Sequence, residues 1–395
     1  MSVPPAEPTV GRHAITCRDA TKMKGGALDF ITSNISGQTG IQIARLSESA
    51  GLPTAGDVVG LINDPLLRPQ ALRLVSDGTS SDYRDFAQRF DFNRNEITDA
   101  LNMAEIRRSF RSGATLIVED VGKWHSPVAR ICNFIFNEFW NYSNAGYFIT
   151  GAGKKGLPFH ADEETSFVFQ LSGSKRWQVV QTIADKSGPS AFDDAAGIQE
   201  FDLLPGDAAC IPPFHPHRTE SLGAEDSVHL TVGVRQFKVK DLLRASFLAQ
   251  SRVESLETKL SSLGRAHQEF SEAIGAIGTD EWAKHLAIAS IRIASGGLAG
   301  GFELRSAAPQ LPRTGRGFDD LMWKVGLGER FLVFFGGTHA ILDRAGVDSL
   351  SAIAKSHAVG GVSWRDLAAD RTDSPGVRRL LEASGWAVAS EAGQQ

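Results

Sequence analysis

Between about residues 144 and 236 the apolar positions of the chain fall in short alternating runs. Tyr147-Phe-Ile-Thr, Thr165-Ser-Phe-Val-Phe-Gln-Leu and Arg176-Trp-Gln-Val-Val-Gln each read as a strand. So do Phe201-Asp-Leu-Leu, Asp207-Ala-Ala-Cys-Ile and Ser227-Val-His-Leu-Thr-Val-Gly-Val. Gly-Ser, Pro-Gly-Asp and Pro-Pro punctuate them, and these pairs break regular structure. Many short strands with closely spaced turns predict a sandwich or a barrel.

The period changes on either side of this region. Gly51 to Asp64 reads as a loop entering a strand or short helix, and Ala71 to Ser76 as a strand ending at the turn signal Asp77-Gly78. Ile97, Leu101, Met103, Ile106 and Phe110 lie near helical spacing, which predicts an amphipathic helix over Glu96 to Ser112. Gly113 to Glu119 reads as a buried strand. Pro127 to Trp140 reads as a helix with one core face of Val128, Ile131, Cys132, Ile135 and Phe139. Beyond 236, Leu242 to Leu263 and Ala266 to Ile277 predict helices, and Gly296 to Gly317 a loop. Phe331 to Phe335 follows as a strand, then helices over Ser349 to His357, Ser363 to Ala369 and Pro375 to Ser384, and a last strand from Gly385. Helices followed by a short hairpin have the layout of a winged helix. Residues 1–12, rich in Pro and small side chains, read as a loose arm.

A length of 395 residues allows two or three domains. The chain is 42% hydrophobic and 22% charged, as soluble globular proteins are. Its net charge of −5 offers no broad basic surface, so nucleic acid is not an expected partner. In the tail Asp343, Asp348, Asp366, Asp370, Asp373 and Glu382 interrupt any basic stripe. The three cysteines, Cys17, Cys132 and Cys210, form no C-x-x-C pair and are too few for a disulfide framework, which fits a reducing cytoplasm. The first residues carry no signal pattern, and no apolar run approaches the roughly 20 residues that span a bilayer.

The chemistry concentrates in His160-Ala161-Asp162 and, 55 residues beyond Asp162, His217. On a strand, residues i and i+2 face the same side, so His160 and Asp162 can grip one ion from one strand. Pro212-Pro213 makes a rigid corner that aims a histidine. His215 and His217 both qualify by chemistry, and His217 is preferred because it leads into the next strand segment. Two imidazoles and one carboxylate suit non-haem Fe(II) and leave three positions open. The same donors can hold Zn²⁺.

Four motifs now stand in order: Gly156-Leu-Pro-Phe-His-Ala-Asp162; Phe167-Val-Phe-Gln-Leu-Ser-Gly-Ser-Lys-Arg-Trp177; Leu204-Pro-Gly-Asp leading through Ile211-Pro-Pro to His217; and Val228-His-Leu-Thr-Val. This series resembles the JmjC-type cupins of the ribosomal oxygenase group, Fe(II)- and 2-oxoglutarate-dependent protein hydroxylases. The resemblance runs from about Ala71 to Arg235 and takes in Gly113-Ala-Thr-Leu and the helix with Ala129-Arg130. It implies an α+β chain with a double-stranded β-helix (cupin, jelly-roll) core. Residues 27–236 would be the catalytic domain after an arm at 1–26. Residues 237–317 would be a helical dimerisation domain and 318–395 a winged-helix-like end.

By the same resemblance, His160, Asp162 and His217 bind iron. Lys175, 15 positions after His160, pairs with the distal carboxylate of 2-oxoglutarate, and Thr231 hydrogen-bonds the co-substrate. A dianion held in a barrel does need a cation at its far end, and an ammonium is a compact one. The family's Asn-x-Tyr corresponds here to Gly146-Tyr147-Phe148, so either Tyr147 takes the tyrosine's place after a one-residue shift or Phe148 stands there and a hydrogen bond is lost. Ala161 replaces a bulky aromatic between the ligands. Phe167, Phe169 and Trp177 read as core, Phe159 and Phe214 as pocket rim, and Glu163-Glu164 as a solvated strand edge. His229 reads as a core histidine.

The implied activity is hydroxylation of an amino-acid side chain in a protein or peptide, using O₂, by a cytoplasmic homodimer. A tailoring hydroxylase of a peptide natural product or small molecule would use the same residues. A non-catalytic dimeric cupin scaffold would need none of them. Demethylation would run on the same iron chemistry.

Overall fold

The computed structural model describes residues 14–15, 21–23, 25–36, 40–47, 51–92, 94–181, 197–238, 240–241, 268, 272, 286–291, 293–294, 323–327, 329–335, 338–350, 376–377 and 379–380. The chain divides into two compact units: Met1–Val121 with Ser143–Arg235, and Gly122–Tyr142 with Gln236–Gln395.

Among the described residues of the first unit the main strands are β1 (Gln42–Leu46), β2 (Leu72–Ser76), β3 (Thr115–Val118), β4 (Asn141–Thr150), β5 (Thr165–Ser172), β6 (Ser174–Val180), β7 (Ile198–Leu203), β8 (Asp207–Ile211), β9 (His217–Leu222) and β10 (Ser227–Gln236). In the larger sheet β1, β8, β5, β10, β4, β3 and β2 lie side by side, with Thr21–Met23 and Thr79–Ser80 at its edges. In the smaller sheet β7, β6 and β9 are neighbours, flanked by Ala14–Ile15. Consecutive strands β5 and β6 lie in different sheets, which is the crossing that makes a jelly roll.

Strand alternation explains the layering. Val168 on β5 packs with Trp177 and Val179 of β6, Phe201 and Leu203 of β7, and Ala209 and Ile211 of β8 between the sheets. Phe167 and Phe169 face the other way and meet Phe30 of helix α1 (Ala27–Asn34) edge-on, at ring separations of 6.1 and 6.2 Å. β5 is therefore covered on both faces, which is why its run is apolar almost throughout.

Two expectations are resolved differently. Gly51 to Asp64 forms helix α2 (Ala55–Ile62), started by a reciprocal cap between Thr54 and Asp57. The long helix expected over Glu96 to Ser112 is divided. Asn95–Leu101 is a strand paired antiparallel with Ala87–Phe92. Asn102 then caps helix α3 (Met103–Arg111), accepting from the Glu105 amide at 3.2 Å. The apolar spacing suited one helix, but a cap at Asn102 and a strand partner at Ala87–Phe92 override it.

In the second unit, helix α4 (Ser126–Phe139) stands where Pro127 to Trp140 predicts one. Phe136 packs with Ala287, Ile291, Ala294 and Leu332. A three-stranded antiparallel sheet follows, Trp323–Leu327, Arg330–Phe335 and Thr338–Asp343, with residues 344–350 helical after it. The arm at 1–12, Leu242 to Leu263, Gly296 to Gly317, Ser363 to Ala369 and the final strand lie outside the described residues, as do most of Ala266 to Ile277 and of Pro375 to Ser384. No helix among the described residues is long and apolar enough to cross a membrane.

The turn from β5 to β6 passes through Gly173 at φ +60°, where an added Cβ would overlap the backbone carbonyl of Asp226. A left-handed backbone and a carbonyl contact both exclude a side chain there. Gly173→Ala is expected to cost about 2–3 kcal/mol in urea unfolding, whereas Gly40→Ala, which meets nothing within 4 Å, should change stability little.

Candidate metal centre

The site is assembled by main-chain bonds before any side chain is considered. His160 and His217 face each other as an antiparallel bridge, N–H to C=O in both directions at 3.1 and 2.8 Å. The Gly156 amide donates to Thr219 O at 2.8 Å, which lays residues 156–160 along β9. Asp162 is fixed from the other side, its carbonyl accepting from the Phe214 amide at 2.7 Å. His160 and Asp162 do not share a strand, as i, i+2 spacing had predicted. Pro158 offers no amide for a ladder, and the chain runs irregularly until Thr165.

One donor atom each from His160, Asp162 and His217 lies within 4.8 Å of the others. His217 Nε2 is 3.7 Å from Asp162 Oδ2, and the two imidazole centroids are 4.3 Å apart. Each imidazole is oriented from behind. His160 Nδ1 meets Pro158 O at 2.9 Å and His217 Nδ1 meets His215 O at 3.0 Å. A carbonyl only accepts, so both Nδ1 atoms carry the proton and both Nε2 lone pairs are left for an ion. Ser166 Oγ donates to Asp162 Oδ2 at 3.4 Å. His215 turns back on Pro213 O at 3.0 Å and is not among the converging donors. Burial, and next the neighbouring His160, push His217 down to about 4, so it is neutral and ready to ligate at neutral pH.

The cluster opens into a cavity of about 40 Å³ between the sheets, lined also by Phe148, Lys175, Trp177, His229 and Thr231. Val179 pairs with His217 and Lys175 with Ser221. Lys175 therefore lies four positions (179 − 175) further along β6, about 13 Å at 3.3 Å per residue. Its side chain is buried and its Nζ donates to Thr150 Oγ1 at 2.9 Å and meets His229 Nδ1 at 3.3 Å. Thr150 Oγ1 is in turn 3.2 Å from Thr115 Oγ1. Among the described residues no carboxylate lies within ion-pair distance of Lys175. Burial alone pulls it from the ordinary 10.5 to about 7. His229, buried and beside Lys175, is held well below its usual value and is neutral, which leaves its Nδ1 free to accept.

Thr231 lines the cavity; Tyr147 does not. Alternation along β4 turns Phe148 to the cavity, where it stacks on His229 at 5.0 Å, and Tyr147 to the opposite side, fully buried. Phe148, not Tyr147, therefore faces the cavity, and no tyrosine hydroxyl lines it. Phe159 is not a rim residue: it is buried, with the Arg218 guanidinium 4.5 Å over its ring. Phe214 is exposed, in a left-handed conformation at φ +61°. Glu164 is no solvated edge but is bonded to Asn144 and near Arg235. Thr115, Thr150 and Ser166 escaped the sequence reading, whereas His229, read as a core histidine, is buried and also lines the cavity. Counting by twos from Phe148 would have found Thr150.

Residues 123–242 match a family profile described as JmjC domain. The chain is 28% identical to "Ribosomal oxygenase 2" of Rattus norvegicus over 138 residues, 33% of this chain and 30% of that protein. It is 29% identical to "Ribosomal protein uL16 3-hydroxylase" of Escherichia coli (strain K12) over 136 residues, 33% of this chain and 35% of that one. These alignments span about a third of the relatives' lengths. The X-ray structure of E. coli ycfD superposes with a TM-score of 0.51 at 17% identity, covering 91% of this chain and 95% of that chain, a likeness of fold. The segment that carries the His-Asp-His cluster is thus similar to JmjC domains, and its fold is that of a cupin.

The desolvated lysine carries a linkage consequence. Its folded pKa of about 7 lies below the ordinary 10.5. The unfolded chain therefore binds more protons between those values, and ligand-free stability rises with pH across that window. Below about pH 7 the whole penalty is present. Lys175→Met should raise the ligand-free melting temperature at pH 7 by about 4–8 °C, with the difference shrinking toward pH 10.5, as thermal melts at several pH values would show.

Proposed function

We propose that this chain is an Fe(II)- and 2-oxoglutarate-dependent oxygenase that hydroxylates an amino-acid side chain of a protein or peptide. The observation that carries the reading is one cavity holding a two-histidine, one-carboxylate cluster at one end and a buried ammonium without a carboxylate partner at the other. The donor set fits ferrous iron, with open positions for a keto acid and O₂. Bound iron and 2-oxoglutarate would supply the oxidising chemistry, giving succinate and CO₂ as O₂ is consumed and a C–H bond is hydroxylated.

The chain's own residues do the rest. His160, Asp162 and His217 hold and orient the metal, with Nδ1 protons locked on Pro158 and His215 carbonyls. Lys175 receives the distal carboxylate. Thr150 and His229 take up two of its three N–H donors and leave one for that carboxylate. Thr231 lies in reach along the wall, and Phe148 and Trp177 keep the space apolar and dry. A scaffold that binds no diacid would gain nothing from desolvating an ammonium. The names of the rat and E. coli relatives support a protein substrate over a small molecule. In the same reading residues 237–317 pair two copies and 318–395 form a winged-helix-like end, which the three-stranded sheet at Trp323–Asp343 supports; sedimentation equilibrium tests the dimer.

Succinate formation from 2-oxoglutarate tests the whole. His160→Ala should bring it to background. Lys175→Ala should raise the KM for 2-oxoglutarate about tenfold or more, the loss of one charge-assisted hydrogen bond. Wild-type turnover no greater than that of His160→Ala would overturn the assignment. Phe148→Tyr, which returns a hydroxyl to the cavity wall, should lower that KM.

A further inference from the structure

One donor on the cavity wall has no acceptor. The Trp177 side chain is 3% exposed, and its Nε1 meets no hydrogen-bond partner among the described residues. An indole N–H only donates. Buried indoles usually find an acceptor, because an unmatched donor gives up its hydration for nothing.

The surroundings of the ring leave the cavity to supply one. The indole is stacked on Phe201 at 6.5 Å and clusters with Val168, Val179 and Leu203, whose side chains carry no acceptor. Two imidazoles stand beside it, His217 at 5.7 Å and His229 at 5.4 Å between ring centres. Both are committed. His217 gives Nδ1 to His215 O and keeps Nε2 for an ion. His229 Nδ1 accepts from Lys175, so its Nε2 carries the proton and accepts nothing. Along β6, Trp177 lies two residues from Lys175 and two from Val179, which pairs with His217. Residues at i and i+2 share a face, and Lys175 and Trp177 line the same cavity. Two donors on one wall are thus unmatched: the third N–H of Lys175 and the N–H of Trp177. A carboxylate, with two oxygens and four lone pairs, answers both. Phe148, stacked on His229, brings no hydroxyl to share that task.

We infer that Trp177 is a binding residue for the co-substrate, its indole N–H donating to one oxygen of the distal carboxylate while the Lys175 ammonium takes the other. Trp177 supplies the neutral donor that Phe148 lacks, so the diacid is held at two points on a wall without a tyrosine. The inference rests on the reading that the cavity takes 2-oxoglutarate and deepens it by adding a second residue that selects for the distal carboxylate.

NMR on the full chain, labelled with ¹⁵N-tryptophan and loaded with Zn²⁺ so that nothing turns over, tests this with two probes: 2-oxoglutarate, and 2-oxobutyrate, which lacks the distal carboxylate. The chain has seven indoles. The Trp177 signal is the one lost in Trp177→Phe; if that variant does not fold, the signal is identified by its contacts with the His217 and His229 rings. 2-Oxoglutarate should move this N–H resonance downfield, as a new hydrogen bond does, and 2-oxobutyrate should not. By calorimetry, folded Trp177→Phe should bind 2-oxoglutarate about tenfold more weakly and 2-oxobutyrate as the wild type does. A Trp177 resonance that stays still while 2-oxoglutarate binds, the same shift with both probes, or an unchanged affinity in folded Trp177→Phe would overturn the inference and leave the oxygenase reading standing. No binding of 2-oxoglutarate to the Zn²⁺-loaded wild type would overturn both.

Discussion

The interior of the first unit is organised round one ammonium group taken out of water. Lys175 is buried between two sheets with a threonine and an imidazole for company and no carboxylate among the described residues. Burial of an unpaired charge costs several kcal/mol, and proteins avoid it unless something arrives to share the charge. The strand that carries it, the turn at Gly173 that starts that strand, and the wall of Phe148, Thr150 and His229 all serve to hold this one group in place. The fold is less stable for having it, and the cavity is specific because of it.

The metal cluster obeys a different logic. There the donors are buried or half-buried, and their precision comes from the backbone. Reciprocal bonds between His160 and His217 and the bond from Phe214 to the Asp162 carbonyl place three Cα atoms with little dependence on side-chain packing. Proline-rich corners on both arms, at Pro158 and Pro212-Pro213, shorten the list of conformations each arm can adopt. Behind each imidazole a carbonyl two residues back selects the tautomer. The organic end of the cavity is thus set by desolvation and the metal end by chain geometry.

Much of this was legible in the sequence, and the failures have physical causes. Asp207 to Ile211 is a strand with the predicted bounds because it is short, buried on both sides and closed by Pro-Gly and Pro-Pro. Glu96 to Ser112 misled because Ile97 and Leu101 satisfy helical spacing, while their true constraint is a hairpin with Ala87–Phe92, where Ile97 pairs with Phe90 and Leu101 with Ala87. The two-residue phase along β4 could not be read from one sequence, and so Tyr147 and Phe148 stood as alternatives until the structure turned Phe148 to the cavity. Phe159 looked like a rim residue from its place beside His160, yet Arg218, brought over by β9, caps it. What local pattern shows well is where a strand runs; what it hides is the strand's phase and which distant side chain waits on each face.

The reciprocal backbone pair at His160 and His217 also decides how the centre should behave toward different ions. Its two imidazoles are held by main-chain bonds, so little chain ordering should accompany the entry of an ion. Removal of the ion should leave a receptive frame instead of a collapsed one. Cations of similar size, including spectroscopically active or redox-silent substitutes, can then be exchanged in the folded protein, which makes this centre suited to trapping reaction partners side by side without consuming them.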